Sequence, residues 1–113
     1  MTEGESYTVW GALNTFYTYG GYGPGGSSEC DAILARANER LQNGFVSYWT
    51  NAPSNYWGDN HSAYGTIHLT QWTWGNDRET AKTLFHEAAH QYFGASMREA
   101  TILYFQDECL STY

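Results

Sequence analysis

The segment from Asn76 to Gly94 constrains the fold of this chain more than any other. Asn76 followed three residues later by Glu79 has the form of a capping box, which satisfies the first free N–H groups of a helix. Ala81, Leu84, Phe85, Ala88 and Ala89 then recur at helical spacing, and Gly94 supplies a stop. The spacing predicts a helix with one apolar stripe, and the rest of the chain must build a core against it. Within that helix, residues 86–90 read His-Glu-Ala-Ala-His.

That pattern carries chemistry because of its spacing. Residues four apart stand one turn apart on the same helix face, so the imidazoles of His86 and His90 can converge on one metal ion. Glu87 points along the flank of that face, where its carboxylate can reach a metal-held water without being a ligand. Imidazole nitrogens suit Zn²⁺, and a catalytic zinc site leaves one position for water. The competing reading is that two of the chain's four histidines fall four apart by chance. The coherent apolar stripe on the opposite side of the same helix favours the metal.

The remaining elements follow from pattern. Residues 7–19 are rich in β-branched and aromatic side chains and are expected as a strand. Gly20 to Ser28 reads as a glycine-rich loop. Ser27 or Ser28 can cap an amphipathic helix with Ile33, Leu34, Ala37 and Leu41 on its buried face, ended by Asn43-Gly44. Phe45–Thr50 is expected as a short strand, Asn51–Ala63 as a long polar loop, and Tyr64–Trp74 as a second strand region. In that region Ile67 and Leu69 share one face while Thr66, His68 and Thr70 share the other, as near a sheet edge. Ser96 with Glu99 offers another capping box for a last helix running to about Leu110. The order, strand, helix, strand, strand, helix, helix, implies an α+β fold with no internal repeat.

At 113 residues the chain is expected to form one domain, 1–113. Five Lys+Arg stand against twelve Asp+Glu, a net charge of −7, so there is no cationic cluster for nucleic acid or an anionic membrane surface. No apolar run approaches the roughly 20 residues that span a bilayer. Aromatics reach 18% and Lys82 is the only lysine, a composition more usual in secreted domains. Cys30 and Cys109 are expected either as one disulfide closing a long loop or as two buried thiols. The polar run Thr2-Glu3-Gly4-Glu5-Ser6 holds no leader, so either the protein stays inside or Met1 stands on a mature form. A secreted or extracytoplasmic monomer is the expectation.

On His86, Glu87 and His90, and on the order of elements over most of residues 7–110, the chain resembles a very small zincin metallopeptidase. The resemblance implies that His86 and His90 bind one catalytic Zn²⁺, that Glu87 is the general base, and that the substrate is a peptide or protein. It also implies a minimal zincin-like domain, a small mixed sheet with a backing helix, the active-site helix and a following third-ligand helix, in which the strand at 64–70 is the edge strand pairing with extended substrate. The metzincin branch does not fit, because Phe93 and Ser96 stand where that branch has a glycine and its third ligand. The gluzincin branch takes a glutamate from the next helix. Glu99 is nine residues after His90, with Gly94 permitting a reversal between them, and Arg98-Glu99-Ala100 resembles the third-ligand segment of small bacterial metallopeptidases. Glu108 is closer to the usual gluzincin separation, and Asp107, His68, His61 or a cysteine are other ligand types zinc accepts.

Other residues have plainer readings beside functional ones. His68 is a candidate for binding substrate or stabilising an oxyanion, or else an exposed strand residue. Asp59, Asn60 and His61 read as a polar turn rather than a second cation site. Tyr92 and Tyr104 lie close in sequence to the motif as hydrogen-bond donors. The many tryptophans and tyrosines are expected as core and substrate-cleft walls rather than as a sugar platform. The main rival to a peptidase is a non-catalytic, metal-stabilised module binding protein or carbohydrate. Glu87 argues against it, because a structural zinc site has no use for a carboxylate between its histidines.

Overall fold

A computed structural model describes residues 2–15, 28–61, 65–94 and 97–109. The described elements run α1 (Glu3–Thr15), α2 (Ser28–Gln42), β1 (Val46–Trp49), β2 (Gly58–His61), β3 (Thr66–Thr70), α3 (Asp77–Phe93) and α4 (Glu99–Cys109). This is an α+β fold built on a small mixed sheet. The strand order is β1-β3-β2, with β1 parallel and β2 antiparallel to the central β3.

The 76–94 segment is the helix its sequence requires. The Asn76 side chain accepts from the Glu79 N–H at 3.1 Å, a cap worth about 1 kcal/mol. Ala81, Leu84, Phe85, Ala88 and Ala89 are all buried, together with Ile33, Leu34, Ala37 and Leu41 of α2. Val46, Ile67 and Leu69 meet them from one face of the sheet. α3 thus runs through the middle of the core, with its histidine-bearing side turned outward. Arg36 of α2 donates to Gln91 of α3 at 3.0 Å, and Gln91 donates to the Thr66 carbonyl at 3.4 Å, tying helix to helix to sheet.

Four expectations need correction. The strand expected at 7–19 is helix as far as the described residues go, and 16–27, with most of the glycine-rich stretch, lies outside them. Thr2 and Glu5 form a reciprocal cap at its start, the Glu5 N–H donating to the Thr2 hydroxyl at 3.1 Å and the Thr2 N–H to Glu5 at 2.7 Å. Val9 and Ala12, three apart, are fully buried, and that packing overrides weak strand propensities. The polar loop expected at 51–63 contains β2, whose residues have little strand propensity but pair through the backbone with β3. The segment 64–74 is strand only at Thr66–Thr70, and that strand is the centre of the sheet, so the outer strand beside α3 is β2. The tryptophans are not core residues: Trp10, Trp49, Trp57, Trp72 and Trp74 are all exposed, Trp57 on the wall of a cleft, and Phe85 with Ile, Leu, Val and Ala side chains fills the interior.

Cys30 at the start of α2 and Cys109 at the end of α4 form a disulfide, with a Cα–Cα distance of 5.6 Å. α4 otherwise buries only Ile102, so this bond is a main attachment of the last helix. No described helix is long and apolar enough to cross a membrane.

Candidate metal centre

Three side chains converge at the outward face of α3. Nε2 of His86 and Nε2 of His90 lie 3.2 Å apart. Two nitrogens at ordinary zinc distances in a tetrahedral arrangement are separated by about 3.3 Å, which is close to the spacing of the imidazole pair. Glu99 reaches back from the first turn of α4, with Oε1 at 2.6 Å from His86 and Oε2 at 2.9 Å from His90. Among the described residues this is the group of three donors close enough to share one ion, with all ligand atoms within 4.8 Å of one another. Two neutral imidazoles and one carboxylate suit Zn²⁺ and leave a fourth position.

Local chemistry explains the convergence. The helical repeat sets His86 and His90 on one face, and buried Ala88 and Ala89 hold the opposite face against the core. Gly94, at φ 94°, ends α3 in a conformation that side-chain-bearing residues avoid, and its N–H bonds to the His90 carbonyl. The Met97 N–H then bonds back to Gly94 at 3.2 Å, and the reversed chain opens α4 at Glu99. The expected capping box falls on Ser96, which lies outside the described residues; the Glu99 carboxylate is engaged with both histidines. Asp107 and Glu108 ride at the far end of α4, outside the cluster.

Two contributions escaped the sequence. Gln106 places Oε1 2.8 Å from Nδ1 of His86. If Nε2 is the ligand atom, the ring proton sits on Nδ1, and the amide oxygen accepts it, fixing tautomer and ring plane. Its only trace in sequence is the interval of seven from Glu99, two turns along one face of α4. The second is β2. A Cβ built on Gly58 would lie 2.6 Å from the Thr83 methyl, 2.7 Å from the His68 carbonyl and 3.8 Å from Glu87. Only glycine lets β2 approach α3 this closely.

Glu87 is buried, at 8% exposure. Its carboxyl is pushed up to about 7, first by burial; His86 opposes the rise, Asp59 and Glu99 add to it, and a hydrogen bond from Asn60 again opposes it. A cleft of about 380 Å³ opens over this group, lined by Tyr56, Trp57 and Gly58 on one side and by Leu103 and Gln106 of α4 on the other. His86, Glu87 and Glu99 lie on its wall. The tyrosine in its lining is Tyr56; Tyr92 and Tyr104 stand in solvent. Tyr56 donates to Asp59 at 3.1 Å, and its phenol is raised by burial, then by that bond and the charges of Asp59 and Glu87. His68 does not line this cleft; its Nδ1 pairs with Asp59 at 2.7 Å across the β2–β3 ladder. Comparison with protein-family models, curated proteins and solved structures returned no match.

Proposed function

We propose that this chain is a zinc-dependent peptidase of gluzincin type, acting on peptide bonds in extended segments. The observation that carries the reading is the convergence of His86, His90 and Glu99 beside a buried, non-ligating Glu87 at the wall of an open cleft. His86, His90 and Glu99 would hold the ion. Zinc in such a site lowers the pKa of water towards about 7 and polarises a carbonyl.

The chain's own groups supply the rest. Glu87 takes the proton of the attacking water and returns it to the leaving amine nitrogen. Gln106 keeps His86 in one tautomer. β2, the outer strand beside the cleft, is suited to take an extended peptide as an added strand. No side chain serves as nucleophile, so no acyl-enzyme forms. All three ligands come from one chain, so a monomer suffices. The buried Cys30–Cys109 bond supports an extracytoplasmic location, where disulfides form and persist.

The test is hydrolysis of a mixed fluorogenic peptide library, with and without chelator, beside Glu87→Gln. The expected result is chelator-sensitive cleavage, with the variant keeping wild-type zinc stoichiometry and losing at least about a hundredfold in kcat/KM. Cleavage indifferent to both would overturn the mechanism. Bound zinc with no peptide cleaved would favour the non-catalytic module.

A further inference from the structure

Three of the five exposed tryptophans gather with Tyr56 at one end of the sheet. At the end of the sheet where β1 and β3 finish, Trp49, Tyr56, Trp57 and Trp72 are each between 37% and 43% exposed. They are held on a common frame. The Trp49 and Tyr56 rings meet edge to face at 5.3 Å. The Thr70 hydroxyl donates to the Tyr56 carbonyl at 2.6 Å and reaches the Trp57 carbonyl at 3.1 Å. Gln71 exchanges two hydrogen bonds with the backbone of Ala52, at 2.8 and 3.2 Å, and the Trp72 indole N–H donates to the same carbonyl at 3.2 Å. Side chains that fold to bury apolar surface have here been fixed outward, and such a patch marks a binding surface.

Its chemistry selects the occupant. Neither stretch 49–57 nor stretch 70–74 contains a charged residue. The exposed neighbours are Thr50, Asn51, Ser54 and Asn55, uncharged hydrogen-bonding groups, and Pro53. Asp59, next along the chain, is engaged with Tyr56 and His68. The charged groups that share a cleft with Tyr56 and Trp57, namely Glu79, Lys82, Glu87 and Glu99, belong to α3 and α4 across from the patch. The only aliphatics in the two stretches are Ala52, which is buried, and Pro53. An anionic surface would call for cations, and a lipid surface for exposed aliphatic chains. Flat aromatic faces amid amides and hydroxyls match a sugar ring, whose C–H face stacks while its hydroxyls hydrogen-bond around the rim. We propose that this end of the molecule binds a neutral polysaccharide. Because Tyr56 and Trp57 also line the cleft, the sugar chain lies against the site's entrance. The inference does not depend on the peptidase reading.

The whole chain is to be tested against cellulose, chitin, β-1,3-glucan, xylan and mannan by pull-down and tryptophan fluorescence, with phosphatidylcholine vesicles and casein alongside. Variants are Trp49→Ala/Trp72→Ala, the conservative Trp49→Phe/Trp72→Phe, and Trp10→Ala on α1, with folding checked by circular dichroism. The expected result is retention by at least one of the polysaccharides, weakened tenfold or more in the alanine pair and largely kept in the phenylalanine pair and in Trp10→Ala. The phenylalanine pair keeps the flat rings, so it serves even if the alanine pair does not fold: binding lost there with the fold intact would overturn the stacking argument. Retention by none of the five, binding equal in all variants, or binding only to vesicles or casein would overturn the proposal.

Discussion

Opening the Cys30–Cys109 bond should cost this protein much of its stability. The bond joins residues 79 apart in sequence. In the chain-entropy model, closing such a loop removes about 15 cal/mol/K from the denatured ensemble, or about 4.5 kcal/mol at 25 °C. Unfolding entropy near 60 °C is about 2.1 cal/mol/K per residue, so 113 residues give about 240 cal/mol/K. The quotient is a fall in Tm of about 19 °C. Cys30 and Cys109 are 3% and 0% exposed, so a reductant reaches them only through unfolding. The protein is therefore to be reduced in denaturant and refolded in reductant, which keeps both sulfurs in the core and avoids the cavity of an alanine variant. Thermal unfolding followed by circular dichroism, oxidised against reduced, gives the difference. A fall under about 5 °C would refute the entropic account. A much larger fall, with helix missing before the transition, would mean that the bond holds α4 in the native state.

Three further outcomes test the site. Gln106→Leu should weaken zinc binding about 10- to 100-fold by chelator competition, and Gln106→Glu should restore it, since an acceptor on Nδ1 is what His86 requires. Glu99→Ala should lose zinc while Glu108→Ala keeps it; the reverse pattern would move the third ligand to the far end of α4. In chelator, Glu87 retains its proton in the folded chain from the ordinary 4.5 up to about 7, whereas the unfolded chain has released it. The folded state therefore binds more protons in that window, so this group's contribution is full below 4.5 and is lost as pH rises towards about 7. Denaturant unfolding across that range should show wild type losing stability relative to Glu87→Gln, and parallel curves would refute the assignment.

What the sequence determined by itself was local. Asn76, Glu79 and Gly94 bound a helix through caps that lie within a few residues of the groups they satisfy, and i, i+4 spacing puts His86 and His90 on one face whatever surrounds them. α2 was legible for the same reason, its apolar positions Ile33, Leu34, Ala37 and Leu41 lying on one face. α1 was not: Val9 and Ala12 make a stripe too short to outweigh the β-branched and aromatic residues around them until α3 packs against it. β2 was hidden too, because Gly58, Asp59 and Asn60 become strand only through the backbone ladder of β3. Whether Cys30 and Cys109 meet, whether Glu99 rather than Glu108 faces the histidines, and whether Gln106 touches His86 depend on how α4 returns after Gly94. That return is settled by contacts between residues far apart in the chain. Spacing in sequence determines geometry only within one element, and every relation between elements waits on the packing that brings them together.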